Sequence, residues 1–192
     1  YTLSLHDALP IYDIIHREAK LANINSNDHV LCIGGGPCPF SAILLHQATG
    51  ARVTVIDNDK QCVRAAQQLV TRMALDNVIQ IFCQDGKDIV LKGYSVILLA
   101  LQVSSLDTVL ANLEKQARPG TKLLVRRPKQ CLNKMYCNLS SNWLTDCIAV
   151  RHKRARNIAN TLLYIIQESL NEDKMAVMGT SHPHAVIGRI AV

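Results

Sequence analysis

No apolar run in the 192-residue chain approaches the ~20 residues that a helix needs to cross a bilayer. Seven cysteines are present (Cys32, Cys38, Cys62, Cys83, Cys131, Cys137, Cys147), but no CxxC pair and no regular spacing, so neither structural zinc nor a disulfide framework has a pattern to rest on. Thiols of this kind are expected to stay reduced, in a cytoplasmic setting. His6, His16 and His46 lack metal spacing, and no metal site is expected. There is no internal repeat and no low-complexity tract. With 48% apolar and 19% charged residues, the composition suits a globular α/β protein and excludes a disordered one. The formal charge of +6 permits anionic small molecules or RNA without selecting either. The basic run from Arg151 to Arg156 has no interleaved aromatics, so it reads as a solvated turn and nucleic acid is not an expected partner.

What is present is a strict alternation. Residues 12 to 23 place Ile14, Ile15, Ala19 and Ala22 at helical spacing. HVLCIG (29–34) is a short apolar run of the kind a central parallel strand needs. Helix follows from Phe40 to Thr49, stopped by Gly50. RVTVID (52–57), VIQIF (78–82), SVILLAL (95–101) and TKLLVR (121–126) are the next strands, with helices over Lys60 to Leu75 and Ser105 to Ala117 between them. Such alternation predicts a parallel sheet with helices on both faces. WLTDCIAVRH (143–152) and NIANTLLYII (157–166) are two strand-like runs whose short link leaves no room for a crossover helix, so they pair as an antiparallel hairpin. The expected fold class is therefore α/β and Rossmann-like, with a mostly parallel sheet ending in that hairpin, an architecture that resembles the class I SAM-dependent transferase fold.

Chemistry concentrates at the carboxyl ends of the first three strands. Gly34, Gly35, Gly36 and Pro37 form a turn in which the backbone approaches a ligand without a Cβ in the way. Asp57, followed by Asn58, ends the second strand, where a carboxylate accepts both ribose hydroxyls of an adenosine. Asp85 and Gly86 follow the third, where a carboxylate accepts from an adenine amino group. A pyrophosphate would need amide donors and a third glycine at 39, but Pro37 and Pro39 remove two donors. S-adenosyl-L-methionine (SAM) carries no phosphate, so it is the expected ligand, as a co-substrate. The D/N-P-P-Y/F tetrad of amino-methylating enzymes is missing after the fourth strand, where Leu99-Ala100-Leu101-Gln102 stands.

GGGPCPFSAILL, VIDND, the Asp85-Gly86 pair and RPGTKLLVRRPKQCLNKMY together resemble the nicotianamine synthases and their bacterial relatives that make staphylopine-like metallophores. His152 and the IANT ahead of the last strand are similar to a further segment of that family, and Gly35 stands where the family has serine. The resemblance covers roughly residues 18 to 167. It implies a transferase that moves the 3-amino-3-carboxypropyl group of SAM to a small-molecule amine or amino acid and releases methylthioadenosine. A SAM-dependent methyltransferase acting on a small molecule or RNA is the alternative. The resemblance further implies Glu18 and Tyr12 as catalytic residues. Arg126 and Tyr136 are matched to its substrate side, with the Arg126 fork expected to take a carboxylate.

Residues 1–11, YTLSLHDALPI, look like a translated sequencing adapter and are set aside as non-native, so the native N-terminus is expected to be missing. Residues 12–28 are then the remnant of an N-terminal helical region, 29–167 the SAM-binding domain, and 168–173 a polar linker. Residues 174–192, with an apolar run, a glycine break and helical spacing, resemble the opening of an opine dehydrogenase, the start of a second Rossmann domain fused to the first.

Overall fold

The computed structural model describes residues 5–91, 93–133, 147–153 and 155–167. The chain runs α1 (Leu5–Leu21), β1 (His29–Ile33), α2 (Phe40–Thr49), β2 (Arg52–Asp57), α3 (Lys60–Arg72), β3 (Ile79–Cys83), β4 (Val96–Leu99), α4 (Leu106–Gln116), β5 (Lys122–Pro128), β6 (Ile148–Arg151) and β7 (Ile158–Ile165). Short 3-10 turns follow β3 and β5. One seven-stranded sheet has the order β3-β2-β1-β4-β5-β7-β6. The first five in that order are parallel, and β7 is antiparallel to both its neighbours, β5 and β6. The alternation read from sequence thus becomes the sheet it predicts, closed by the expected hairpin.

The central strands are buried on both faces because α-helices cover both. Alternate residues feed two cores. Val30 and Cys32 of β1 join Val53 and Val55 of β2 beneath α1, α2 and α3, while Leu31 and Ile33 join Ile97, Leu99 and Leu110 beneath α4. Strand order reverses between β1 and β4, the switch point at which open α/β sheets leave a crevice at the carboxyl edge.

Several element ends depart from expectation, β4 stopping at Leu99 and β5 running on to Pro128 among them. α3 stops at Arg72 rather than Leu75, because Ala74 takes a left-handed φ of +54° and the Leu75 N–H bonds back to the Val70 carbonyl. α1 begins at Leu5, inside the stretch set aside as non-native, and runs through Pro10. Residues 168–192, including the expected linker and second-domain start, lie outside the described residues, as do Tyr136 and the first part of the expected strand at 143–146. No described helix is long and apolar enough to cross a membrane.

Candidate functional site

The turn after β1 is built around Asp57. Its Oδ2 accepts the Gly36 N–H at 2.7 Å and its Oδ1 accepts the Asp59 N–H at 3.0 Å. Asp59 in turn caps α3 by accepting from Gln61 N–H and Cys62 N–H. The Gln61 N–H first, and then the Cys62 thiol, which donates to Oδ2, hold the Asp59 carboxyl below its ordinary range. Gly34 and Gly36 have φ of +84° and +62°, a region in which only glycine is unstrained. The Gly34 and Gly35 N–H groups both reach the Ile56 carbonyl, folding the turn back over β2.

The crevice beside this turn holds about 270 Å³, just under the roughly 300–1,000 Å³ of small-molecule sites. Gly34, Gly36, Pro37, Asp57, Asn58, Asp85 and Gly86 line it, so the structure brings together seven of the eight residues expected to hold SAM. Gly35 is the exception. A Cβ there would sit 2.2 Å from Val55 Cγ1, so its lack of a side chain serves turn-to-β2 packing rather than ligand contact. Gly86 combines both roles, since its Cβ would meet Ile33 Cγ2 at 2.9 Å. Asp85 accepts the Lys87 N–H and caps the 3-10 turn. Ile33, Ile56 and Val109 form an apolar floor, and Gln84, Gln102 and Ser104 add polar rim groups that the sequence reading did not single out. Pro39 occupies the N-cap of α2 and, like Pro37, brings no N–H of its own to the turn.

A second assembly lies at the same end of the sheet, under α1. Glu18 is 1% exposed and receives Arg126 Nε at Oε1 and Arg126 Nη2 at Oε2, both at 2.8 Å. Arg126 Nη1 donates to Ser41 Oγ at 2.8 Å. Thr161 Oγ1 donates to Glu18 Oε1 at 2.6 Å and meets His152 Nε2 at 2.9 Å. Burial opposes the charge on Arg126, but the Glu18 carboxylate outweighs it and raises the guanidinium above its ordinary value. Burial also pushes the thiol of Cys32, on β1 nearby, up to about 12, which makes it inert.

The structure also places three residues expected to act in catalysis or on the substrate side. The Arg126 fork is not open for a substrate carboxylate, because it lies within β5 and is closed on Glu18 and Ser41. Glu18 sits in the buried stripe of α1 beside Ile14, Ile15, Ala19 and Ala22. Tyr12 does not meet it: six residues earlier is about 240° round a helix, and its ring is 48% exposed, edge-on to His16 at 4.2 Å. Ser41 is the network member that sequence reasoning missed, while His152 and Thr161, the last residue of IANT, were matched to the family without a role.

A family model for nicotianamine synthase protein matches residues 12–172. The L-histidine 2-aminobutanoyltransferase of Yersinia pestis is 29% identical over 136 residues, which cover 68% of this chain and 51% of that protein. A protein of the same name from Pseudomonas aeruginosa is 25% identical over 117 residues, covering 60% and 44%. The chain therefore spans about half the length of these relatives. Among solved structures, an MtNAS variant crystallised with S-adenosylmethionine superposes with a TM-score of 0.71 at 20% identity, over 83% of this chain and 63% of that one. An RNA methyltransferase from Salinibacter ruber, solved with S-adenosyl-L-homocysteine, superposes at 0.67 and 19% identity, over 84% and 95%. These two likenesses establish the shared class I fold. The match over residues 12–172 takes in both the crevice and the buried Glu18 assembly, and this chain belongs to the nicotianamine synthase family.

Proposed function

We propose that the chain binds SAM in the crevice at the ends of β1, β2 and β3 and transfers its 3-amino-3-carboxypropyl group to an amine, in the synthesis of a nicotianamine- or staphylopine-like metallophore. The observation that carries this reading is the family match running from α1 through β7, which includes Glu18, a fully buried carboxylate at the ligand edge. The adenosine would lie against Gly34, Gly36, Asp57, Asn58 and Asp85. The amine nitrogen attacks the methionine γ-carbon, the C–S bond breaks toward sulfur, and neutral methylthioadenosine leaves. The nitrogen gives up one proton, which Glu18 receives. Each oxygen of a carboxylate has more than one lone-pair direction, so the bonds from Arg126 and Thr161 do not exhaust it. Because Glu18 is closed off in this structure, its encounter with an amine requires side chains over α1 to shift.

The relatives' name supports an amino acid such as histidine as the acceptor. Reduced thiols at Cys32, Cys38, Cys62, Cys83 and Cys131 support a reducing, cytoplasmic setting. For residues 1–11 and 174–192 the reading remains an adapter-derived leader and the opening of an opine dehydrogenase-like domain, to be checked by sequencing the reading frame on both sides. The deciding experiment is product analysis after incubation with SAM and histidine. Methylthioadenosine is the expected product. S-adenosylhomocysteine in its place would show methyl transfer, the alternative reading, for which the methyltransferase-like fold is the support.

A further inference from the structure

Five side chains from five separate segments, Glu18, Ser41, Arg126, His152 and Thr161, form one hydrogen-bonded chain, and its far end is a histidine with an unusual constraint. Thr161 has a single hydroxyl proton, and that proton is on the short bond to Glu18 Oε1. The threonine oxygen can then only accept from His152, which fixes the imidazole as the Nε2–H tautomer. His152 Nδ1 is buried and has no partner among the described residues. A neutral ring leaves a bare lone pair there, whereas a protonated ring would leave a bare charged donor. The main chain supports the same pose, since the His152 N–H donates to the Ala159 carbonyl.

We propose that His152 and Thr161 are positioning residues for Glu18, aligning its carboxylate for the substrate amine through a one-way donor chain from His152 Nε2–H to Thr161 to Glu18 Oε1. The proposal rests on the transferase reading above, in which Glu18 takes the amine proton. Arg126 fixes the carboxylate plane from one side and Thr161 pins Oε1 from the other, so the lone pairs left for substrate keep one direction. Alignment of that kind acts on the chemical step, because a reacting group held in line replaces an entropically costly search. Outer partners of this type orient a reactive group without touching the reacting atoms. His152 faces Glu18 and Arg17 from α1 and Arg126 from β5, and it borders a cleft that Asp13 and Lys153 also line. Burial, with Arg126 and Arg17, outweighs the pull of Glu18 and lowers its affinity for a proton, which keeps the donor chain intact near neutral pH.

The test has two readouts on the full chain. Nitrogen-15 histidine NMR should show His152 protonated at Nε2 and predominantly bare at Nδ1 from pH 8 down to its ordinary pKa of 6.5. Thr161→Val should abolish that preference, while Thr161→Ser should retain it. An Nδ1–H tautomer in the parent protein, which needs no variant to observe, overturns the proposal. In turnover, Thr161→Val and His152→Phe should lower kcat for methylthioadenosine release at least tenfold with KM for SAM within twofold. Thr161→Ser and His152→Gln, which restore a donor, should stay within threefold of the parent. Release of methylthioadenosine with unaltered kcat in Thr161→Val sinks this proposal alone. Release of none by the parent sinks the transferase reading and the proposal with it.

Discussion

Asp57 at the end of β2 holds the tip of the β1–α2 turn, its Oδ2 accepting the Gly36 N–H across 2.7 Å. The same carboxylate accepts from Asp59 through Oδ1. A residue expected only to meet a ribose is therefore also the fastener of the glycine turn. The two duties fit together, because an acceptor already locked in place loses no freedom when a ligand arrives.

Asp57→Ala should weaken SAM binding by about 1–3 kcal/mol, the range for losing a hydrogen bond to a charged acceptor in a partly buried site. Asp57→Asn should fare no better, since its amide nitrogen would confront one of the two N–H donors that Asp57 now accepts. Calorimetric titration with SAM checks both, and an affinity equal to the parent's would remove the basis for the site.

Gly35 and Val55 make a second testable pair. A methyl group at 35 would overlap Val55 Cγ1 at 2.2 Å, so the turn or β2 must shift to admit it. Gly35→Ala should cost about 1–3 kcal/mol, as overpacking does. Adding Val55→Ala should recover part of that loss, because the two changes share one contact. Urea denaturation of the two single variants and the double measures the coupling, and strictly additive effects would show that the clash is relieved elsewhere.

How much of this was legible in the sequence follows from what each feature depends on. Strands such as His29–Ile33 and Arg52–Asp57 were readable because both faces are buried and the apolar runs are continuous. The α3 end was not, since nothing in the residue type of Ala74 announces a left-handed turn. The crevice was legible because its glycines and carboxylates sit at fixed places after successive strands. The Glu18 assembly was not, because its partners come from positions 41, 126, 152 and 161 and meet only once the sheet has closed. One signal was available: position 18 falls inside the helical stripe of Ile14, Ile15, Ala19 and Ala22, where a lone carboxylate demands a buried partner.

That partner makes the pair costly to split. Glu18→Leu or Arg126→Met alone should destabilise the fold by about 3–5 kcal/mol, because each strands the opposite charge in the core. The double replacement should cost far less than the sum of the two. Thermal or urea unfolding of all three variants decides it, and near-zero coupling would mean that water reaches the pair.

His152 carries a pH dependence of its own. Burial is the largest cause of its lowered pKa, with Arg126 and Arg17 adding to it and Glu18 opposing. His29 is shifted the same way, by burial first and then by Arg52. A ring that resists protonation in the fold, but accepts a proton near its ordinary 6.5 once unfolded, makes the unfolded chain the greater proton binder in that interval. Its stabilising contribution is thus fully present above about pH 6.5 and is lost progressively as the pH falls from there toward the folded value. Carboxylates elsewhere add their own slope at lower pH, so the informative quantity is the difference between the parent and His152→Gln. A glutamine side chain does not titrate and keeps a donor for Thr161. Urea midpoints measured at pH 7.5, 6.5 and 5.5 should fall more steeply for the parent than for His152→Gln, with the two curves converging toward acid. Parallel curves across that range would mean that His152 titrates alike in folded and unfolded chains, and the buried, neutral imidazole under α1 would have to be abandoned.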